Sequence, residues 1–306
     1  MDNPRYAFFE GKIVPIGQAK VDIRTNSLQY GTAVFEGLRS YWNPQAGKSY
    51  IFRMAEHYKR FAESAKILMI DLKYDIDELS DITIELLRKE EYREDSYIRP
   101  FAYNSGLHIG PKLVGNPQDI FIYSIPLGDY LDISKPINVC TSSWTRINDN
   151  SIPPRAKISG SYVNAALQKT EALLNGYDEA IVLTSDGQHV SEGSAMNIFM
   201  VKGGTIVTPP IADDILEGIT RNSIIEIASN EMDIEVIERS MDRTELYTAH
   251  ELFFCGTGAQ ISPIGTVDKR TVGEGKLGMI TKRLQEIYFK IVKNNVEKYS
   301  SWCTEV

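Results

Sequence analysis

The sequence has few cysteines, no long apolar run and no excess of positive charge. Its three cysteines are scattered and odd in number, which predicts a reducing cytoplasm and no disulfide framework. No apolar run approaches the length of a bilayer span, and the N-terminus lacks the pattern of a signal peptide. A net charge of −8 argues against nucleic acid or an anionic membrane as a partner. We therefore expect a cytoplasmic globular protein.

The commonest catalytic motifs are missing as well. The four histidines are far apart, and no two share the i, i+4 spacing of a helical zinc site, so we expect no metal. A GxSxG elbow, a Walker loop and a GxGxxG turn are absent, since Gly256-Thr257-Gly258 lacks the third glycine. Together these absences argue against the commonest hydrolase and nucleotide-binding sites.

Short strands and helices alternate, which predicts a mixed α/β fold. The segment 126–136 (PLGDYLDISKP) breaks this pattern and predicts a linker between a small N-terminal α/β domain, residues 1–125, and a C-terminal domain, residues 137–306. Hydrophobic periodicity predicts helices at Met54 to Met69, Ile76 to Tyr92, Tyr162 to Leu174, Thr220 to Met232 and Met279 to Lys298. The prediction of the third of these helices rests on the apolar residues Val163, Ala166, Leu167, Leu173 and Leu174.

One lysine lies in an unusual setting. Lys157 follows a double proline and is surrounded by the small residues Ala156, Ser159 and Gly160, which leave room for a bulky ligand against the backbone. The neutral amine of a desolvated lysine is a nucleophile towards carbonyls. The alternative is a solvated lysine in a turn, and this segment alone favours that alternative.

Two glycine-containing segments suit a phosphate group. Residues 216–222 (LEGITRN) end a loop and open a helix, whose first amides and the Thr220 hydroxyl can bind an anion. Gly256-Thr257-Gly258 follows a buried strand and offers free amides and a hydroxyl. The alternatives are an ordinary helix cap and a β-turn, respectively.

Glu192 is a carboxylate flanked by small residues in an otherwise apolar stretch (VSEGSA). Charged residues are rarely buried without a partner. Either Glu192 is a solvated turn residue, or it pairs with a cationic group such as a protonated pyridine nitrogen. A lysine, such a carboxylate and two phosphate sites together are what pyridoxal phosphate requires.

Six separated segments resemble the branched-chain amino acid aminotransferases, which are fold-type IV pyridoxal phosphate enzymes. In chain order they are YGTAVFEGLR, YIRP, PPRAKISGSYVNAAL, VSEGSAMNIFMV, LEGITRNSII and FFCGTGAQISPI. The resemblance implies a small N-terminal α/β domain, a larger C-terminal pseudo-barrel domain that binds pyridoxal 5'-phosphate, and a homodimer or a larger homo-oligomer. It also implies transamination between L-branched-chain amino acids and 2-oxoglutarate.

The resemblance also implies roles toward the cofactor. Lys157 would bind the cofactor aldehyde and later move a proton, Tyr162 would hydrogen-bond the phenolic oxygen, and Glu192 would keep the pyridine nitrogen protonated. The residues implied around the phosphate and the ring are Arg60, Leu216, Gly218, Ile219, Thr220, Gly256 and Thr257.

For the substrate, the resemblance implies one pocket that accepts both an aliphatic side chain and a carboxylate. The α-carboxylate would meet the Tyr97 hydroxyl and the Thr257 and Gly258 amides. The glutamate side chain would meet Arg99 and Tyr130, joined by Tyr30 of the partner subunit. The other pocket residues so implied are Phe35, Gly37, Leu107, Ile109 and Leu127.

Two residues depart from the family pattern and leave the side-chain preference open. Leu127 stands where many bacterial members carry tryptophan, and His108 replaces a usually small residue. Two related activities remain alternatives: a fold-type IV lyase such as aminodeoxychorismate lyase, and a D-amino-acid or (R)-amine transaminase. Glu36-Gly37-Leu38-Arg39 together with Tyr97-Ile98-Arg99 favours the L-amino-acid transaminase.

Overall fold

The computed structural model describes residues 5–128 and 132–306, and these residues form two compact units. The first unit contains residues 5–128, 156–160 and 290–306, and the second contains 132–155 and 161–289. The Lys157 segment and the C-terminal segment thus belong to the first unit, whereas the sequence placed both in the C-terminal domain. Residues 129–131 of the predicted linker lie outside the described residues.

The described strands and helices alternate along the chain as the sequence predicts. The strands are β1 (Tyr6–Phe9), β2 (Lys12–Pro15), β3 (Ala33–Phe35), β4 (Leu38–Asn43), β5 (Lys48–Phe52), β6 (Ser96–Asn104), β7 (Gln118–Pro126), β8 (Ile137–Thr141), β9 (Glu179–Leu183), β10 (Val190–Gly193), β11 (Asn197–Lys202), β12 (Thr205–Thr208), β13 (Val236–Glu238), β14 (Glu251–Gly256), β15 (Gln260–Val267), β16 (Arg270–Thr271) and β17 (Cys303–Glu305). The helices are α1 (Asn26–Tyr30), α2 (Met54–Ile67), α3 (Ile76–Glu90), α4 (Tyr162–Leu174), α5 (Ile219–Met232) and α6 (Met279–Val292).

The first unit is built on one antiparallel sheet. Its strand order is β17-β5-β4-β6-β7-β1-β2, and β3 pairs with β6 beside this path. The hairpin β1–β2 turns at Glu10 and Gly11, both with positive φ, as a two-residue turn matched to strand twist requires. Helix α3 begins at a capping box formed by Asp75 and Glu78. Buried aromatic side chains such as Tyr58 fill the core.

The second unit is built on a mixed sheet. Its strand order is β10-β9-β8-β15-β14-β11-β12-β13, with β16 paired to β15. Strand β8 lies parallel to both β9 and β15, whereas the central pairs β14–β15 and β11–β14 are antiparallel. One apolar cluster, which includes Ile198 and Phe254, packs on this sheet. The strands that carry Glu192 and Gly256, β10 and β14, belong to the same sheet.

Helices α2, α3 and α5 match the predicted bounds to within two residues at each end, whereas two helices differ from the sequence expectation in length or in the face they bury. Helix α6 ends at Val292, and the predicted continuation to Lys298 is replaced by a separate 3₁₀ helix at Glu297–Trp302. Helix α4 has the predicted bounds, but Val163 and Leu174 are exposed while Ala165, Gln168 and Ala172 are buried. Periodicity shows that a helix has an apolar stripe, but not whether the rest of the same unit covers it.

Candidate functional site

The Lys157 segment is fixed to β3 and α2 in the first unit. Phe35 N–H donates to the Lys157 carbonyl at 3.0 Å, and Lys157 N–H donates to Ser64 Oγ at 3.1 Å. Ile158 forms an antiparallel bridge with Val34. The main chain on both sides of the lysine is thereby held, so Lys157 is not a solvated residue in a free turn.

A close approach of two glycines completes this attachment. Gly160 N–H and Ser159 Oγ both donate to the Gly31 carbonyl, at 3.2 and 3.0 Å. Gly31 has a φ of 66°, and a Cβ added to it would lie 2.7 Å from the Gly160 Cα. Only glycine fits at residue 31, because a side chain would push the Lys157 segment away from β3.

The Phe35 ring contacts two cationic side chains. Lys157 Nζ lies 5.2 Å from the ring centroid, and Arg99 Cζ lies 4.4 Å from it. Arg99 Nη2 also donates to the Tyr97 hydroxyl at 2.9 Å, while Arg99 Nε is buried without a hydrogen-bond partner among the described residues. A buried donor without a partner is costly. The first unit therefore places Lys157 and the Arg99 guanidinium, which has a donor available for an anion, on the apolar Phe35 ring.

Gly37 is required by the position of Tyr97. A Cβ added at Gly37 would lie 2.0 Å from the Tyr97 hydroxyl oxygen. No side chain larger than hydrogen fits there without moving the tyrosine, which explains the glycine in the FEG segment on physical grounds.

Arg60 is buried in an ionic cluster, not on a solvated helix face. Its Nε donates to Glu36 Oε1 at 2.7 Å and its Nη2 to Glu36 Oε2 at 2.9 Å. His57 Nδ1 lies 2.8 Å from Glu36 Oε2, and the Gly37 amide donates to the same oxygen. His57, Arg60 and Ser64 recur at i, i+3 and i+7, so one face of α2 carries all three.

The charge state of this cluster follows from burial and pairing. Burial alone would raise the pKa of Glu36, but the positive charge of Arg60 and the bond from His57 lower it overall. Burial lowers the pKa of His57 despite its carboxylate partner. The cluster therefore holds an ionised Glu36, a charged Arg60 and a neutral His57 that donates through Nδ1.

The other predicted substrate residues of the first unit lie in or beside a loop. The Gly110 amide donates to the Tyr30 hydroxyl at 3.0 Å, while Leu107 and Ile109 are exposed. Arg39 is buried and donates to the carbonyl of Leu127 at 2.9 Å. Tyr130 lies outside the described residues.

Glu192 is buried in the second unit and has partners of three different kinds. Arg146 Nη2 lies 2.7 Å from its Oε1, and the Asn197 amide and the Leu216 N–H donate to Oε2 at 3.0 and 3.2 Å. Strand β10 has a register shift between Val190 and Glu192. These donors favour an ionised carboxylate, as pairing with a pyridinium would need.

The start of α5 is linked to Glu192 through Asn197. Asn197 Nδ2 donates to the Leu216 carbonyl at 2.9 Å as well as to Glu192. Gly218 is the N-cap residue, and no side chain caps the helix, which begins at Ile219. A Cβ at Gly218 would lie 2.0 Å from Asn197 Oδ1. The first amides of α5 and the buried Thr220 thus form an uncapped helix start beside Glu192's partners.

Two further predicted site segments belong to the second unit. Gly256 ends β14 and pairs with Gln260, so Thr257 and Gly258 lie in the turn to β15. A Cβ at Gly258 would meet nothing within 4 Å, so its backbone is approachable. Tyr162 is half-buried at the first position of α4. The positions of Thr257, Gly258 and Tyr162 are compatible with contact to a ligand.

Sequence reasoning missed three residues that hold the predicted ones. Glu36 and Asn197 appeared only within motifs and were given no role, and Arg146 carried no signal. The one available indication was charge balance, because a buried Arg60 or Glu192 needs a counter-charge. Among residues 5–128 and 132–306, no cluster of three His, Cys, Asp or Glu side chains could hold a metal. No described helix is long and apolar enough to cross a bilayer.

Comparison with known proteins gives consistent matches over nearly the whole chain. The family model for class IV amino-transferases matches residues 33–267. A probable branched-chain-amino-acid aminotransferase of Aquifex aeolicus (strain VF5) is 51% identical over 98% of this chain and 96% of that protein.

Solved structures agree with this match. The branched-chain amino acid aminotransferase of Thermobaculum terrenum, in its PLP form, has a TM-score of 0.95 at 39% identity, covering 100% of this chain and 99% of that one. A second such enzyme, from T.th., is complexed with N-(5'-phosphopyridoxyl)-L-glutamate and has a TM-score of 0.93 at 36% identity, covering 99% of each chain. These matches confirm the fold class that the sequence predicted.

Proposed function

This chain belongs to the class IV aminotransferases, among their branched-chain-amino-acid members, and we propose that it moves the amino group between L-branched-chain amino acids and 2-oxoglutarate. The observation that carries the proposal is the Phe35 ring, which Lys157 and Arg99 both contact. An apolar ring suits an aliphatic side chain, and the guanidinium of the half-buried Arg99 suits the second carboxylate of glutamate. One pocket can therefore serve both substrates.

The residues present fit pyridoxal 5'-phosphate as the cofactor. The donor set is a half-buried lysine, a buried arginine, an uncapped helix start and a buried ionised carboxylate. When bound, the cofactor supplies an aldehyde for the amino group and a ring that accepts electrons. The PLP form of the Thermobaculum terrenum enzyme supports the same choice.

Each residue then has a definite task. Lys157 would hold the cofactor at its aldehyde and would carry the proton at the substrate Cα, because its amine is the one base that the fixed segment presents. Glu192 would hold a proton on the ring nitrogen, and Tyr162 would donate to the phenolic oxygen. Around the phosphate and ring we assign Arg60, Leu216, Gly218, Ile219, Thr220, Gly256 and Thr257.

Substrate binding divides between the two carboxylates. We assign the α-carboxylate to the Tyr97 hydroxyl and to the Thr257 and Gly258 amides. Arg99 binds the glutamate side chain, assisted by Tyr130 and by Tyr30 of the partner subunit. The glutamate adduct bound to the T.th. enzyme supports glutamate as the second amino acid. Phe35, Gly37, Leu107, Ile109 and Leu127 complete the apolar wall.

We propose a homodimer as the smallest active unit. Leu28 of α1 and the loop residues Leu107 and Ile109 are exposed apolar side chains of the first unit, and a second copy of the chain would cover them. Sedimentation at assay concentration tests this, and an active monomer would contradict it.

The decisive test of function is a panel of amino donors with 2-oxoglutarate as acceptor, read out as glutamate formed. We expect L-leucine, L-isoleucine and L-valine to react and their D-enantiomers to fail. Reaction of D-amino acids alone would reassign the chain to the D-amino-acid transaminases. Pyruvate release from aminodeoxychorismate, without glutamate formation, would reassign it to the lyases.

A further inference from the structure

Three consecutive residues each contact a different site residue of the first unit. Phe35 contacts Lys157, Glu36 binds Arg60, and a Cβ on Gly37 would strike Tyr97. The middle residue, Glu36, has no role in the proposed chemistry, yet it is fully buried. We propose that Glu36 is a positioning residue that holds the Arg60 guanidinium for the cofactor phosphate, so that it sets the preference for a phosphorylated over an unphosphorylated cofactor.

The geometry of the pair fixes the guanidinium plane. Two parallel bonds, from Nε and Nη2 to the two carboxylate oxygens, leave Arg60 neither rotation nor tilt. Glu36 is held in turn by His57 Nδ1 and by the Gly37 amide, and its own main-chain N–H donates to the Pro100 carbonyl at 3.0 Å. Besides Arg60, the carboxylate is therefore held by His57 of α2 and by the Gly37 amide, while the main chain of Glu36 is held by β6.

Charge and position predict opposite results when Glu36 is neutralised. Glu36 is an anion bonded to the proposed phosphate ligand, so its charge alone would weaken phosphate binding by repulsion. If this repulsion is the larger effect, Glu36→Gln tightens phosphate binding, because the substitution removes the negative charge. If position dominates, Glu36→Gln weakens it, because a glutamine amide group cannot accept the second bond from Arg60. The bidentate geometry favours position.

The test measures cofactor affinity, not activity, on the full-length chain stripped of cofactor. Pyridoxal 5'-phosphate and pyridoxal are titrated separately, and the ratio of their dissociation constants isolates the phosphate contribution. The variants are Glu36→Gln, Arg60→Lys and their combination. The control is Glu90→Gln, which removes a buried carboxylate of the same unit that binds Arg5 and the Tyr6 amide instead.

We expect Glu36→Gln to lower the phosphate preference at least about tenfold, the size of a lost charge-assisted bond. Arg60→Lys lowers it too, and the double variant is no worse than Arg60→Lys alone, because Glu36 acts through Arg60. Glu90→Gln leaves the ratio unchanged. Should Glu36→Gln not fold, Glu36→Asp replaces it, since aspartate keeps the charge but is one methylene short; an unchanged ratio in that variant overturns the proposal.

The inference rests on the phosphate role proposed for Arg60, and the outcomes separate the two. An unchanged ratio in Arg60→Lys refutes the phosphate role, and the inference falls with it. A lowered ratio in Arg60→Lys with an unchanged or raised ratio in Glu36→Gln refutes only the positioning role. Additive losses in the double variant also refute it, since Glu36 would then act independently of Arg60.

Discussion

Each of the two units contains, among the residues around the candidate site, a buried carboxylate that is paired with an arginine, but the two arrangements differ. In the first unit, Glu36 binds both Nε and Nη2 of Arg60 and is backed by a histidine. In the second, Glu192 meets Arg146 through one oxygen, while its other oxygen accepts from a side-chain amide and a main-chain N–H.

The difference separates two uses of a buried acid. A bidentate pair fixes the orientation of the arginine, so Glu36 serves Arg60. In the second unit the carboxylate is the group being fixed, because three donors from separate segments converge on it. A buried acid thus positions a cation in one unit and is itself positioned in the other. The following predictions, in descending order of effect, test this distinction.

The largest loss is expected at Lys157, which the first unit anchors through its main chain. Lys157→Ala removes both the covalent attachment and the proton carrier, so turnover should fall by about 10⁴-fold or more. The measurement is steady-state transamination of leucine. Near-normal rates in this variant would refute the assignment of Lys157.

The next effect is at Glu192, the acid that is itself positioned. Glu192→Gln removes the charge that would stabilise a protonated ring nitrogen, and we expect kcat to fall about a hundredfold or more. Cofactor content, measured in parallel, controls for loss of binding. If kcat stays within a few fold of the unsubstituted enzyme, the assignment of Glu192 to the ring nitrogen is wrong, and its role is limited to binding Arg146 and Asn197.

Arg99 should affect one substrate and spare the other. Arg99→Ala should weaken glutamate and 2-oxoglutarate binding by about 1.5–3 kcal/mol, the contribution of a charge-assisted bond. Leucine loses no such bond, so its half-reaction, followed in single turnover by the cofactor's absorbance, should suffer far less. Equal losses for both amino acids would show that Arg99 supports the pocket generally.

A smaller effect is expected at Gly218, which lies against Asn197 in the second unit. The added methyl group of Gly218→Ala would lie 2.0 Å from Asn197 Oδ1. It would therefore displace the Asn197 side chain, which donates a hydrogen bond to Glu192. We expect the free energy of unfolding to fall by about 1–3 kcal/mol in urea titrations. Gly258→Ala is the matched control, because its Cβ meets nothing within 4 Å. Equal stability of the two variants would contradict the packing argument.

The smallest effect is a pH dependence confined to the first unit's cluster. Burial lowers the pKa of His57, so below the unfolded pKa of about 6.5 the unfolded chain binds a proton that the folded chain resists. Stability should therefore fall as the pH drops below about 6.5, by at most about 1.4 kcal/mol per pH unit for one proton. His57→Gln should flatten this slope in thermal melts, and parallel curves would refute the contribution of His57.

The sequence alone determined the local chemistry and most of the elements. The bounds of α4 follow from hydrophobic periodicity, which acts over a few neighbouring residues. The resemblance of separate segments indicated the family, which the comparisons confirm. The roles of Lys157, Glu192 and Arg99 stay predictions.

Only the tertiary structure decided which charges meet. Arg60 lies 24 residues from Glu36, and Arg146 lies far from Glu192 along the chain, so neither pair shows in local periodicity. The structure likewise attached the Lys157 segment to β3 and left Val163 and Leu174 of α4 exposed. Pairing between distant residues depends on which strands and helices become neighbours, and burial of an apolar stripe depends on what packs against it; a single chain's local pattern encodes neither.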